Sequence, residues 1–181
     1  MRKTIGVVVV LALSCILVSA QQAQQKAVSF KKLQEFLPKI ELSDFTRGKP
    51  TGETSSMMGM STSEATVMYE GKSGGDETPS IEVKISDLAG IPYAQMGLSM
   101  FGGQEFENET ESGYEKSVKI QGFPGTERVE TTEDSKEAHL QLLVGNRFMV
   151  EFDASGTSDV TLLRKLVDSM NLGELAKVTA Q

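Results

Sequence analysis

One cysteine, one histidine and no tryptophan occur in the 181 residues of this chain. A lone cysteine, Cys15, allows no intrachain disulfide and no cysteine-based zinc site. A lone histidine, His139, excludes a histidine-rich metal centre built within one chain. Positive charge is also scarce: 18 Lys and Arg stand against 25 Asp and Glu, a formal net charge of −7. General nucleic-acid binders and basic membrane-surface proteins need a cationic field, so the charge balance argues against both. The longest apolar run, Ile5 to Val18, is interrupted only by Gly6 and Ser14. It falls short of the ~20 residues that a spanning helix needs. The chain shows no repeat with the 20–50-residue period of solenoids, no G-x-S-x-G nucleophile motif and no phosphate-binding G-x-x-x-x-G-K-[ST] around Gly74-Gly75 or Gly102-Gly103.

What is present begins with an address. Arg2 and Lys3 precede the apolar run, and Val18-Ser19-Ala20 places short residues where a signal peptidase cuts. Residues 1–20 therefore read as a secretory signal peptide, with cleavage after Ala20 and export to the periplasm or the medium of a bacterium. Two alternatives stay open: lipidation at Cys15, after the poorly matching Ala12-Leu13-Ser14, and retention as an uncleaved anchor. Cleavage removes Arg2, Lys3 and Cys15, leaving 161 residues without cysteine and taking the charge from −7 to −9. Such a domain must hold itself together by an apolar core.

Residues 21–28 (Gln21-Gln22-Ala23-Gln24-Gln25 onward) are polar and read as a flexible leader. Residues 29–178 read as one α+β domain. Ser29 is a candidate N-cap for a short helix carrying Phe30, Leu33, Phe36 and Leu37, which Pro38 stops. Residues 43–62 are rich in Gly, Ser and Thr and read as a long loop with one short strand at most. Ala65, Val67 and Tyr69, then Ile81, Val83 and Ile85, alternate with polar residues and predict a hairpin around residues 71–76. Pro92 starts and Gly102-Gly103 ends a helix over residues 93–101. Residues 105–115 read as an acidic loop, 117–121 as a strand with Val118 and Ile120 inward, and 126–132 as an edge strand. The clearest local pattern is Leu140, Leu142, Val144 and Phe148, Val150, Phe152 on either side of a two-residue Gly145-Asn146 turn. Thr157-Ser158-Asp159 caps a last helix with Val160, Leu163, Leu166, Val167 and Met170 on its apolar stripe, closed by Gly173. Hairpins with helices between them make the fold class α+β: a twisted antiparallel sheet with flanking helices.

The string from Leu142 to Val150, followed by residues 159–170, resembles small exported bacterial proteins of uncharacterised function. Asp87-Leu88-Ala89-Gly90 and Gly113-Tyr114-Glu115-Lys116 are similar to other marks of that group. The element order is similar to PsbP-like sandwiches. The resemblance implies a binding or assembly role and supplies no catalytic residue; fold alone does not fix function.

Three clusters invite chemistry. Met57-Met58-Gly59-Met60, with Met68 nearby, offers thioethers to Cu(I); the plainer reading is that methionines plug an edge of the core. His139 beside Glu137 has no adjacent nucleophile and reads as a hydrogen-bonded, partly buried residue. Glu105, Glu107, Glu109, Glu111 and Glu115 could approach Ca²⁺ but lack EF-hand spacing and read as a solvated face. Arg147 reads as the partner of a carboxylate. Asn108-Glu109-Thr110 matches a glycosylation sequon, which is chance in a bacterial protein. No catalytic, metal or cofactor residue is assigned. The expectation is a non-enzymatic exported domain that contacts an envelope protein or a small ligand, not nucleic acid, and has no membrane span once cleaved. Methionine-based copper handling and a carboxylate-dependent enzyme are the alternatives.

Overall fold

The computed structural model describes residues 26–57, 60–72, 78–89 and 105–179. The proposed signal peptide, most of the leader, Met58, the tip of the 71–76 turn and the expected helix over 93–101 lie outside them. Of the described residues 52% are strand and 14% helix, so the α+β reading holds only loosely: the molecule is mostly antiparallel sheet.

The elements run α1 (Phe30–Gln34), β1 (Phe45–Arg47), β2 (Thr51–Met57), β3 (Met60–Gly71), β4 (Ser80–Asp87), β5 (Glu107–Thr110), β6 (Gly113–Ile120), β7 (Phe123–Thr131), β8 (Lys136–Val144), β9 (Phe148–Ser155), α2 (Val160–Asp168) and α3 (Leu172–Leu175). The strands form one sheet in the order β1-β3-β4-β9-β8-β7-β6-β5, with β2 on the same side of β3 as β1. Two meanders, β1–β4 and β5–β9, are thus joined where β4 pairs with β9.

The period-two pattern sets which face is dry. Ala65, Val67 and Tyr69 of β3 lie opposite Ile85, Val83 and Ile81 of β4. These lie opposite Val150, Phe152 and Ala154 of β9, which in turn meet Leu142, Leu140 and Ala138 of β8. All twelve are buried, and Leu33, Leu163, Leu166, Val167, Leu172 and Leu175 of the helices close over them. The outer face carries Lys84, Glu151, His139 and Asp153 at the alternate positions.

Several expectations need correction. Residues 43–62 are not a loop: β2 and the start of β3 pair residue for residue from Thr51↔Thr66 to Met57↔Met60. Serine and threonine, weak evidence in a loop-like composition, suit the exposed strand they occupy. The acidic 105–115 stretch is likewise a hairpin, with β5 at the sheet edge, and β7 is interior between β6 and β8. Its low apolar content misled because Gly125 stands on its inner face where a Cβ would lie 2.0 Å from the Gln141 carbonyl oxygen. Three residues, not two, connect β8 to β9, since Val144 faces Phe148. The helix capped by Asp159 ends at Asp168 with Ser169 as its C-cap, and Gly173 lies inside a separate helix, α3. The caps at Ser29 and Asp159 stand as read, each accepting a backbone N–H two residues on. Among the described residues no helix is long and apolar enough to cross a membrane.

Candidate functional site

The N-terminal strap, residues 26–30, is held to the sheet by side chains of β2, β3 and β4. Ala27 and Val28, in the segment read as a flexible leader, are buried. Three bonds hold the strap down: Ala27 N–H to Ser61 Oγ (3.2 Å), Val28 N–H to Asp87 Oδ2 (2.7 Å) and Phe30 N–H to Thr54 Oγ1 (2.9 Å).

Asp87 ends β4 with its side chain fully buried. Isolated, such a carboxylate would be very costly. Here four donors fill its two oxygens. Arg147 Nε (2.9 Å) and Ala89 N–H (3.0 Å) reach Oδ1; Arg147 Nη2 (2.7 Å) and Val28 N–H reach Oδ2. The two guanidinium contacts form the bidentate fork that suits arginine to carboxylate. Arg147 Nη2 also donates to the Lys26 carbonyl at 3.2 Å. The β8–β9 turn aims this arginine: Gly145 and Asn146 both have positive φ, 61° and 52°, which glycine and asparagine tolerate best.

Beside this clamp the strap, α1 and β2 enclose a cleft of about 470 Å³, within the range of small-molecule sites. Ala27, Val28 and Phe30 are its apolar lining residues, and Thr54, Thr179, Lys26 and Lys32 its polar ones. Lys32 also meets Glu35 at 2.5 Å and lies over the Phe36 ring. Among the described residues the lining has no side-chain carboxylate, in a chain of net charge −7.

A second cluster lies under α2. Glu127 on β7 is buried; its Oε1 accepts the Tyr114 hydroxyl proton (2.9 Å) with Lys116 Nζ at 3.6 Å, and its Oε2 accepts from Arg164 Nε (2.8 Å) and Nη2. Arg164 thereby pins the helix to the sheet. Burial pushes the Tyr114 phenol up to about 12, with the hydrogen bond to and the charge of Glu127 adding to the rise and Arg164 opposing it. In an alkaline absorbance titration Tyr114 is expected to ionise near that value, and Glu127→Gln to bring it down by removing the like charge. A Tyr69→Phe background removes the other phenol raised by burial among the described residues. The folded phenol keeps its proton above the unfolded value of about 10, so this stabilisation is whole below pH ~10 and fades as pH rises toward ~12.

The sequence candidates are scattered. Met57 and Met60 face each other at the exposed end of the β2–β3 hairpin, while Met68 sits further along β3 opposite Glu82. His139 is on the outer sheet face, Nδ1 at 2.7 Å from Asp153 and Nε2 at 3.3 Å from Glu137, so both ring nitrogens meet carboxylates. Nearby, burial opposes the charge on Lys84, yet Glu151 at 3.0 Å, with Glu82 and Asp153 behind it, holds its ammonium above the usual lysine range. Glu107 and Glu109 lie opposite Lys116 and Tyr114, whereas Glu115 lies opposite Asn108 on the other face. Among the described residues no three His, Cys, Asp or Glu side chains converge for a metal ion. Arg147 pairs with a carboxylate as read. Sequence reasoning missed Asp87, Glu127 and the cleft, because each is assembled from distant segments. The one available signal was an acid at an inward strand position, at Asp87 in the Ile81-Val83-Ile85 alternation.

Comparison with protein-family models, with curated proteins and with solved structures finds no match to this chain.

Proposed function

We propose that this chain is an exported, non-enzymatic domain that binds a small anionic ligand with an apolar body in the cleft between the strap, α1 and β2. One observation carries the reading: among the described residues the ionisable side chains lining the cleft are Lys26 and Lys32, set beside Ala27, Val28 and Phe30, on a chain that is otherwise acidic. An acid headgroup would take hydrogen bonds from the two ammonium groups and the Thr179 hydroxyl. A short aliphatic or aromatic tail would lie against Phe30 and Val28. The Asp87–Arg147 pair acts as a positioning device, because it fixes the backbone of Lys26 and Val28 on which the wall depends.

Calorimetric titration with octanoate, and with octanol as the uncharged comparator, tests this. Octanoate is expected to bind more tightly, and the Lys26→Gln, Lys32→Gln double variant to lose at least about tenfold, equal to ~1.4 kcal/mol. Equal affinity for acid and alcohol, or indifference to both lysines, refutes the reading.

A further inference from the structure

The two edges of the sheet are unlike. β5, at one end, is four residues long, Glu107-Asn108-Glu109-Thr110, and two of the four are charged. Short, charged edges resist pairing with other chains. β2, on the opposite side, runs for seven residues, Thr51-Gly52-Glu53-Thr54-Ser55-Ser56-Met57. It holds one charge, no lysine and no internal proline; Pro50 precedes it and blocks pairing only ahead of the strand. One side of β2 pairs with β3, and its side chains are exposed along nearly the whole length. Met57 at its end is 68% exposed, the most exposed large apolar residue among those described. Among the described residues no strand pairs with the outer edge of β2, and such an edge with an exposed apolar end is a template for another strand.

We propose that the outer edge of β2 pairs antiparallel with β2 of a second copy of this chain, joining two sheets across a two-fold axis. The strand pairs with itself over its full length in one register. With Thr54 on the axis all seven residues overlap: Thr51 meets Met57, Gly52 meets Ser56, and Glu53 meets Ser55. Shifted so that Glu53 lies on the axis, the pairing sets two like charges directly opposite, which is unfavourable. The Thr54 register avoids that clash and makes the longest ladder. It also preserves the two faces. Thr51, Glu53, Ser55 and Met57 share the outer face, opposite Thr66, Glu64, Thr62 and Met60 of β3, while Gly52, Thr54 and Ser56 share the face on which α1 packs. A two-fold axis normal to the sheet keeps each set with its own kind, so Met57 of each copy packs beside Thr51 of the other.

Ser55 tests the register and lies outside the cleft. Sedimentation of the purified chain, expressed with its own leader, measures the dimer dissociation constant; thermal unfolding confirms that each variant folds. Ser55→Lys places a lysine opposite Glu53 twice in the dimer, and Ser55→Glu places a second glutamate there twice. Ser55→Lys is expected to tighten the dimer and Ser55→Glu to weaken it, each by about two- to thirtyfold for two cross-strand pairs. A chain that stays monomeric at high micromolar concentration overturns the proposal. So does a dimer whose affinity ignores the charge at Ser55, since it would use another surface.

Discussion

Replacing Arg147 by alanine is expected to lower the unfolding free energy by about 3–5 kcal/mol, the range for breaking a buried pair from one side. The reason is what the substitution leaves behind. Asp87 stays fully buried between the strap and the start of β9, now without its cationic partner. It loses two of its four donors, the Nε and Nη2 contacts at 2.9 and 2.7 Å. The Val28 and Ala89 amides remain but cannot neutralise it. Arg147→Lys is expected to recover only part of the loss, because an ammonium cannot form both prongs of the fork. Asp87→Asn with Arg147 intact leaves a guanidinium that is 15% exposed and can turn toward water, so its cost is expected to be smaller. Urea unfolding monitored by circular dichroism measures all three. The amide of Val28 should also lose hydrogen-exchange protection in Arg147→Ala before the central strands do, since its acceptor is no longer held. A loss under 1 kcal/mol would mean that the clamp contributes nothing to the strap.

Phe152→Ala is expected to cost about 3–5 kcal/mol, the range for truncating a buried aromatic. Phe152 is fully buried on β9, with Val83 opposite it on one side and Leu140 on the other. Hydrogen-bonded neighbours on both sides keep the strands ~4.8 Å apart, so the sheet cannot collapse into the space left behind. Leu163, Leu166 and Val167 of α2 belong to the same cluster and would lose their contacts as well. Phe106, 41% exposed beside the β5 edge, provides the contrast: Phe106→Ala is expected to stay within about 0.5 kcal/mol of the parent. Thermal unfolding separates the two, and equal effects would contradict the placement of the core.

The inner faces of β3, β4, β8 and β9 and the stripe of α2 could be read directly from the chain, because burial on one face imposes alternation and burial on one stripe imposes helical spacing. Ser29 and Asp159 were legible as caps for the same reason: their chemistry is local. β2 and β5 were not, since exposed strands need no apolar alternation and their serines, threonines and glutamates look like loop. β7 was misplaced at an edge because Gly125 and Glu127 occupy two of its inward positions, the first where a side chain has no room, the second where Arg164, Lys116 and Tyr114 satisfy a charge. The candidate site was almost illegible. Arg147 announced a carboxylate partner, but Asp87 is sixty positions away, and the cleft draws on residues from Lys26 to Thr179. Such sites depend on tertiary closure, which no local spacing encodes.

The measurement that bears most directly on the proposed binding function is a chemical-shift map of the chain titrated with octanoate. Binding in the cleft requires the largest changes at the amides of residues 26–32, at Thr54 and at Thr179, saturating together with one constant and vanishing in the Lys26→Gln, Lys32→Gln variant. Changes centred instead on the outer sheet face around His139 and Glu151, or on the β6–β7 side around Tyr114, or none at any concentration, would contradict it.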